Sequence, residues 1–309
     1  MDTSAAELLA RAEGRPPLHN FSVEDARRVL SEAIQAGQGA AEQGLYSRRD
    51  LIIPTAIGGL EATLSWPRPG GGLPLLIYFH GGGWTLLSRQ SCQVLCDDLA
   101  QLGDVAVLSV DYRRAPESPY PAAVDDAEAS LRFVLDNAEA LGIDPSRIIL
   151  GGDSAGGNIA AACTLSFSRH PSLIGQLLIY PVMEIASNHA SRVLNAKGYL
   201  LEDETMRWFG KHYLQNMEQA EDLTASPGLA KDLSKIPPTL VLSAGFDPLR
   251  DEAENYARRL AEAGKATTLL RFPGQLHGFL LYKAIIPEVG LATAHLGHWL
   301  RQRVISSAM

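Results

Sequence analysis

The chain is 309 residues long, 46% hydrophobic and 20% charged, with a net charge of −8. That length suits one large α/β domain or two small ones, each with a sizeable core. The acidic balance argues against nucleic acid and against anionic membranes as partners.

Residues 1–14 mix polar and apolar positions, including Glu7, Arg11 and Glu13, and lack the basic start and apolar core of a signal peptide. No run approaches the roughly 18 apolar residues of a membrane span. A cytoplasmic location is therefore the default expectation. Three cysteines, an odd number, argue against a disulfide framework. Cys92 and Cys96 share one face of a predicted helix. With no histidine nearby, they read as small buried apolar residues rather than a metal pair.

Residues 1–44 read as helical and irregular. Val23, Ala26, Val29, Leu30, Ala33 and Ile34 recur at helical spacing, and Ser22 with Asp25 makes an N-terminal cap. Residues 51–53 and 60–65 are strand candidates, with a turn at Gly58-Gly59. The unbroken apolar run 75–79 predicts a strand buried on both faces. A helix over 91–102, a strand over 105–110 and a long helix over 121–141 follow. Next come a short strand at 147–150, an Ala-rich helix over 159–167 and a strand at 177–180. This alternation predicts a mostly parallel sheet with helices on both faces.

The rhythm breaks after Pro181. Residues 183–232 contain no clear buried strand, but they offer a helix with Met206, Trp208, Phe209, Tyr213 and Leu214. The excursion leaves the sheet at a strand's carboxyl end, where α/β sites lie, so it reads as a lid. Strands at 239–244 and 268–272 and helices over 251–263 and 285–304 complete the pattern.

Gly152-Asp153-Ser154-Ala155-Gly156 joins the 147–150 strand to its helix. A strand that turns sharply into a helix strains the residue at the bend and needs glycines beside it. The Ser154 hydroxyl is then presented at the helix N-terminus, where a nucleophile is wanted. A serine needs a base, and the base needs an acid to hold its tautomer. Of the eight histidines, His277 follows the final strand and is the one in the right place late in the chain. Asp247 and Asp251 both follow the preceding strand. Asp247 sits at the strand's end, and Pro248 keeps it out of the helical region, whereas Asp251 has a ready role at the next helix start. Position therefore favours Asp247. His80-Gly81-Gly82-Gly83-Trp84 follows the buried strand, and its bare backbone N–H groups suit an oxyanion hole.

With Asp111-Tyr112-Arg113-Arg114-Ala115-Pro116-Glu117, Asp247-Pro248-Leu249-Arg250-Asp251 and His277-Gly278-Phe279, these blocks occur in the order seen in the bacterial hormone-sensitive-lipase-like carboxylesterases. The chain resembles that α/β-hydrolase family from about Leu60 to the last helix. The resemblance implies an α/β-hydrolase fold, with a mostly parallel central sheet, flanking helices and a helical cap. It implies a catalytic domain of residues 46–182 and 225–309, capped by residues 1–45 and 183–224. Ser154, Asp247 and His277 would be the catalytic triad. Gly82, Gly83 and Ala155 would supply the oxyanion N–H groups, and His80 would orient the glycine loop. Trp84, Tyr199 and Trp208 are candidate substrate-binding residues. No cofactor and no metal is implied, and the partner is a small ester substrate. Where such enzymes commonly carry Val-Thr-Asp after the proline, this chain has Val182-Met183-Glu184. That difference bears on substrate size rather than on the reaction. An amidase or formamidase would use the same triad, and a non-catalytic ligand-binding relative would have lost a triad member. The sequence leaves the assembly open, a homodimer included.

Overall fold

An apolar run flanked by apolar runs must be buried on both faces, and strand β3 (Leu73–Phe79) is buried along its whole length. The computed structural model describes residues 1–41 and 44–307. Residues 42 and 43, in the expected N-terminal cap segment, and the last two of the expected catalytic domain lie outside them. Around β3 lie β1 (Ser47–Thr55), β2 (Gly58–Trp66), β4 (Ala106–Val110), β5 (Ile143–Asp153), β6 (Leu173–Ile179), β7 (Thr239–Phe246) and β8 (Thr267–Leu276). Together they form an eight-stranded sheet in the order β1-β2-β4-β3-β5-β6-β7-β8. β1 and β2 form an antiparallel hairpin, β2 runs antiparallel to β4, and every later pairing is parallel.

Helices cover both faces. α4 (Ala122–Leu141), α5 (Ala155–Ser166) and α8 (Arg250–Glu262) pack in one apolar layer, and α3 (Gln93–Gly103) and α9 (Glu288–Ser307) in the other. The second layer also takes in α1 (Thr3–Ala12) and α2 (Val23–Gly37). At the start of α2 the Ser22 hydroxyl accepts the Asp25 N–H at 3.1 Å, as its sequence signature predicts. Between β6 and β7, residues 180–238 form α6 (Ala190–Leu194), α7 (Asp203–Tyr213) and short 3-10 turns, with no strand among the described residues.

Several strands outrun their apolar cores. β5 starts at Ile143 rather than 147 because it pairs with Leu73 there and again from Ile148, with a register shift across Pro145. A proline without an N–H is tolerated where the ladder is interrupted. β6 starts at Leu173, and β8 runs through Pro273 and Gly274 to Leu276, so His277 follows the strand directly. The first hairpin turns at Ala56-Ile57, and Gly58, with φ +132°, already belongs to β2.

β3 lies between β4 and β5, so the chain order reverses across it. In open α/β sheets the crevice at the carboxyl ends of such strands takes the ligand. The glycine loop leaves β3 at that point, and Ser154 leaves β5.

Candidate active site

Ser154 has φ +55° and ψ −119°, a conformation a non-glycine residue adopts only under constraint. The flanking glycines supply the room. A Cβ on Gly156 would lie 1.9 Å from the Phe79 carbonyl oxygen, and one on Gly152 would lie 2.5 Å from it. The serine peptide is pinned from the next strand: its N–H donates to Ile179 O at 2.9 Å, and its carbonyl accepts Val182 N–H at 3.2 Å. The bend thus turns the hydroxyl towards the crevice at the start of α5.

Three elements distant in sequence meet there. His277 Nε2 lies 2.9 Å from Ser154 Oγ, and His277 Nδ1 lies 2.8 Å from Asp247 Oδ2. Asp247 is fully buried. Its Oδ1 accepts Leu249 N–H at 2.8 Å, and Asn195 Nδ2 donates to its carbonyl at 3.0 Å. A carboxylate can only accept, so Nδ1 carries the imidazole proton and Nε2 is free to accept from Ser154. Asp251, the other acid weighed from sequence, points elsewhere. It accepts Ser191 N–H at 2.7 Å and Arg250 Nε–H at 2.7 Å, tying α6 to α8.

The glycine loop faces this trio. Gly82 and Gly83 have φ +108° and +60°, and a Cβ on Gly82 would strike the Leu86 carbonyl at 2.3 Å. Among the described residues the N–H groups of Gly82, Gly83 and Ala155 meet no acceptor. His80 is buried, stacks on Tyr112 at 4.3 Å, and bonds the Gly81 carbonyl through Nδ1 at 2.8 Å. Burial pulls its pKa down to about 4, partly offset by Asp111, so it is a neutral prop of the loop.

Asp153 went unremarked in the sequence, although it stands directly before the serine. Its buried Oδ1 accepts both the Tyr78 hydroxyl, at 2.9 Å, and Gly81 N–H, at 3.0 Å. Burial raises its pKa to about 6, and the two hydrogen bonds hold it back from rising further. An acid directly after the first glycine of the elbow was visible; its partners, Tyr78 on β3 and Gly81 just beyond it, were not.

Ser154, His277, Gly82 and Gly83 open onto a cavity of about 570 Å³. α1, α2 and the turn between them form one side, through Leu9, Leu18, Leu30 and Ile34. Leu200, Leu201 and Phe209 form another, with Leu281 and Tyr282. Glu13, Arg15 and Glu202 also contribute to the lining. The three aromatic residues expected at the pocket are not part of its wall. Trp84 is buried in the core, stacked on Tyr213 at 4.2 Å. Tyr199 packs on Phe246 at 5.3 Å, and Trp208 packs on His212 at 4.5 Å. Neighbouring helix residues differ by about 100° in direction, so α7 turns Phe209 to the cavity and Trp208 away from it. Among the described residues no cluster of three or more His, Cys, Asp or Glu side chains could hold a metal, and no helix is long and apolar enough to cross a membrane.

Residues 76–281 match the model of a family described by its α/β-hydrolase fold. A carboxylic ester hydrolase, LipN, of Mycobacterium tuberculosis is 42% identical over 240 residues, which is 75% of this chain and 64% of that relative. The chain thus spans a little under two thirds of that protein. An ethyl acetate hydrolase of Pseudomonas putida is 36% identical over 281 residues, covering 88% of this chain and 87% of the relative. Among solved structures, the ester-hydrolase EH1AB1 from the metagenome of Lake Arreo superposes with a TM-score of 0.94 at 34% identity, over 98% of this chain and 99% of that one. With the eight-stranded sheet, the elbow and these relatives in agreement, the chain belongs to the α/β-hydrolase fold family, in its hormone-sensitive-lipase-like branch.

Proposed function

We propose that the protein is a serine carboxylesterase that cleaves short- to medium-chain acyl esters through an acyl-enzyme. The observation that carries this reading is the unbroken line from Asp247 through His277 to Ser154, set beside unaccepted N–H groups at an apolar cavity. His277 takes the Ser154 proton as the hydroxyl attacks the ester carbonyl. The developing oxyanion is met by the N–H groups of Gly82, Gly83 and Ala155, fixed before the charge appears. The imidazolium, balanced by Asp247, then protonates the leaving alcohol. Water repeats the sequence on the acyl-serine and frees the acid.

Retention of serine, histidine and acid weighs against a non-catalytic binding role. The relatives' names favour esters over amides, since they are described as hydrolases of carboxylic esters and of ethyl acetate. Residues 1–45 and 183–224 would act as the cap over the acyl chain, since several of the described ones line the cavity.

A fluorophosphonate reacts quickly only with an activated hydroxyl, so it should label the chain at Ser154 and abolish hydrolysis of p-nitrophenyl butyrate. Undiminished labelling of Ser154→Ala, or a wild-type chain that neither labels nor turns over ester, would overturn the reading.

A further inference from the structure

The residue after β6 has an unusual backbone and an unusual neighbour. Tyr180 adopts φ +35°, a left-handed conformation that an aromatic residue holds only when its surroundings demand it. Its N–H donates to Leu242 O at 2.6 Å. The residue before it, Ile179, accepts the Ser154 N–H, and Val182, two residues after it, donates to the Ser154 carbonyl. The strained step is therefore strapped to both peptide groups of the serine.

The side chain reaches the other reacting residue. The Tyr180 ring lies 4.9 Å from the His277 ring, inclined at 58°, and 6.1 Å from Phe279. It is 1% exposed. Among the described residues the hydroxyl closes no hydrogen bond, though the Leu280 backbone lies near enough to favour its ionised form. Burial and the charges of Asp153 and Asp247 push its ionisation well above the usual phenol range, which favours the protonated phenol.

We propose that Tyr180 is a positioning residue for His277, its ring filling the space beside the imidazole and holding it between Ser154 Oγ and Asp247 Oδ2. This rests on the esterase reading, in which His277 is neutral, then cationic, then neutral again. Two hydrogen bonds fix the imidazole along one line but leave it free to tilt about that line. A buried ring packed against its flank removes that freedom and excludes water, which would otherwise compete for Nε2. The same residue grips Ser154 through its neighbours, so one strained position sets base and nucleophile relative to each other. Among the described residues the hydroxyl closes no hydrogen bond, so it is the ring that does this work.

The test compares Tyr180→Phe with Tyr180→Leu in the full chain. Three readouts are used: kcat and KM on p-nitrophenyl butyrate, thermal melting, and the downfield proton resonance of the His277–Asp247 hydrogen bond. Tyr180→Phe should keep kcat within about threefold and keep the resonance. Tyr180→Leu should lower kcat by roughly tenfold to a hundredfold, the loss expected of a small misplacement at the reacting centre. Its KM should stay within about twofold, since the substrate wall is untouched, and its resonance should broaden. Should Tyr180→Leu not fold, Tyr180→Met, which refills the volume with a flexible chain, carries the same comparison. An unchanged kcat and resonance in Tyr180→Leu overturns the proposal, as does a Tyr180→Phe variant as damaged as Tyr180→Leu. A wild-type chain that turned over no ester, but whose resonance still depended on the ring, would defeat the esterase reading and leave the positioning of His277 standing.

Discussion

Asp153 Oδ1 accepts the Gly81 N–H at 3.0 Å, joining the residue before the nucleophile to the start of the glycine loop. The same oxygen accepts the Tyr78 hydroxyl, so one buried carboxylate aligns the ends of β3 and β5. Asp153→Ala should let the loop drift and lower kcat by roughly 10²-fold, the scale for losing one oxyanion donor. Asp153→Asn keeps an acceptor and should lose less. The carboxyl has its pKa raised to about 6, so its stronger, ionised acceptor is present above that pH and fades below it. The acid limb of kcat/KM should therefore change shape in Asp153→Asn. A variant with wild-type kcat and an unaltered acid limb would show that the loop stands without this anchor.

The elbow was legible in sequence because its cause is local: Gly152 and Gly156 are the positions where a Cβ would strike the Phe79 carbonyl. The buried strands were legible for the same kind of reason, since β3 is a run of apolar residues whatever packs on it. The order of serine, acid and base followed from strand order. The cavity wall was not legible. Whether Trp208 or Phe209 faces the substrate depends on how α7 rolls against Gly83, where a Cβ would meet the Phe209 ring at 2.2 Å. Trp84 reads as a pocket aromatic until Tyr213, from the distant α7, stacks on it. The anchoring role of Asp153 depends likewise on Tyr78, a residue on another strand.

The two acids after β7 should separate cleanly. Asp247→Asn presents an amide to His277 Nδ1, favours the wrong tautomer, and should lower kcat on the order of 10⁴-fold, as in a comparable triad. Asp251 holds Ser191 N–H and Arg250 and makes no contact with His277. Asp251→Asn should cost about 1 kcal/mol of stability and leave kcat nearly intact. The measurement is kcat beside a denaturant melt for each variant. A larger kcat loss in Asp251→Asn would reverse the assignment.

Glu252 should make stability fall with rising pH. It is buried at the start of α8, and its Oε1 accepts Met183 N–H at 2.7 Å and Glu184 N–H at 3.2 Å, where the excursion leaves β6. Burial raises its pKa from 4.5 to about 7, against the pull of those N–H groups. Between these values the folded chain binds more protons than the unfolded one. This contribution to stability is therefore full below about pH 4.5 and is lost as pH rises through about 7. The loss over the window is on the order of 3 kcal/mol. Glu252→Gln cannot titrate, so its unfolding free energy should be flatter than wild type between those pH values. Parallel wild-type and variant curves from urea melts would mean that Glu252 stays ionised throughout.

The cavity sets an acyl length. Each methylene moved from water into it gains about 0.8 kcal/mol, so kcat/KM should climb about fourfold per carbon while space remains. The walls contributed by α1, α2, Leu200, Leu201 and Phe209 bound a volume of about 570 Å³ that the chain must share with the scissile ester. Activity should peak at roughly four to eight acyl carbons, because further carbons must stay in water or displace a wall. Phe209 packs directly against Gly83, so its ring lies beside the carbonyl rather than at the far end of the cavity. Phe209→Ala should move the optimum to longer or bulkier acyl groups, even if it also lowers the height of the curve by loosening the glycine loop. Trp208→Ala, on the neighbouring face of α7 against His212, should leave the optimum where it is. A series of p-nitrophenyl esters from about two to sixteen carbons reads both effects as the position of the maximum. A profile still rising at the longest ester would mean an open groove in place of a walled cavity. A shift in Trp208→Ala with none in Phe209→Ala would mean that α7 turns its other face to the substrate.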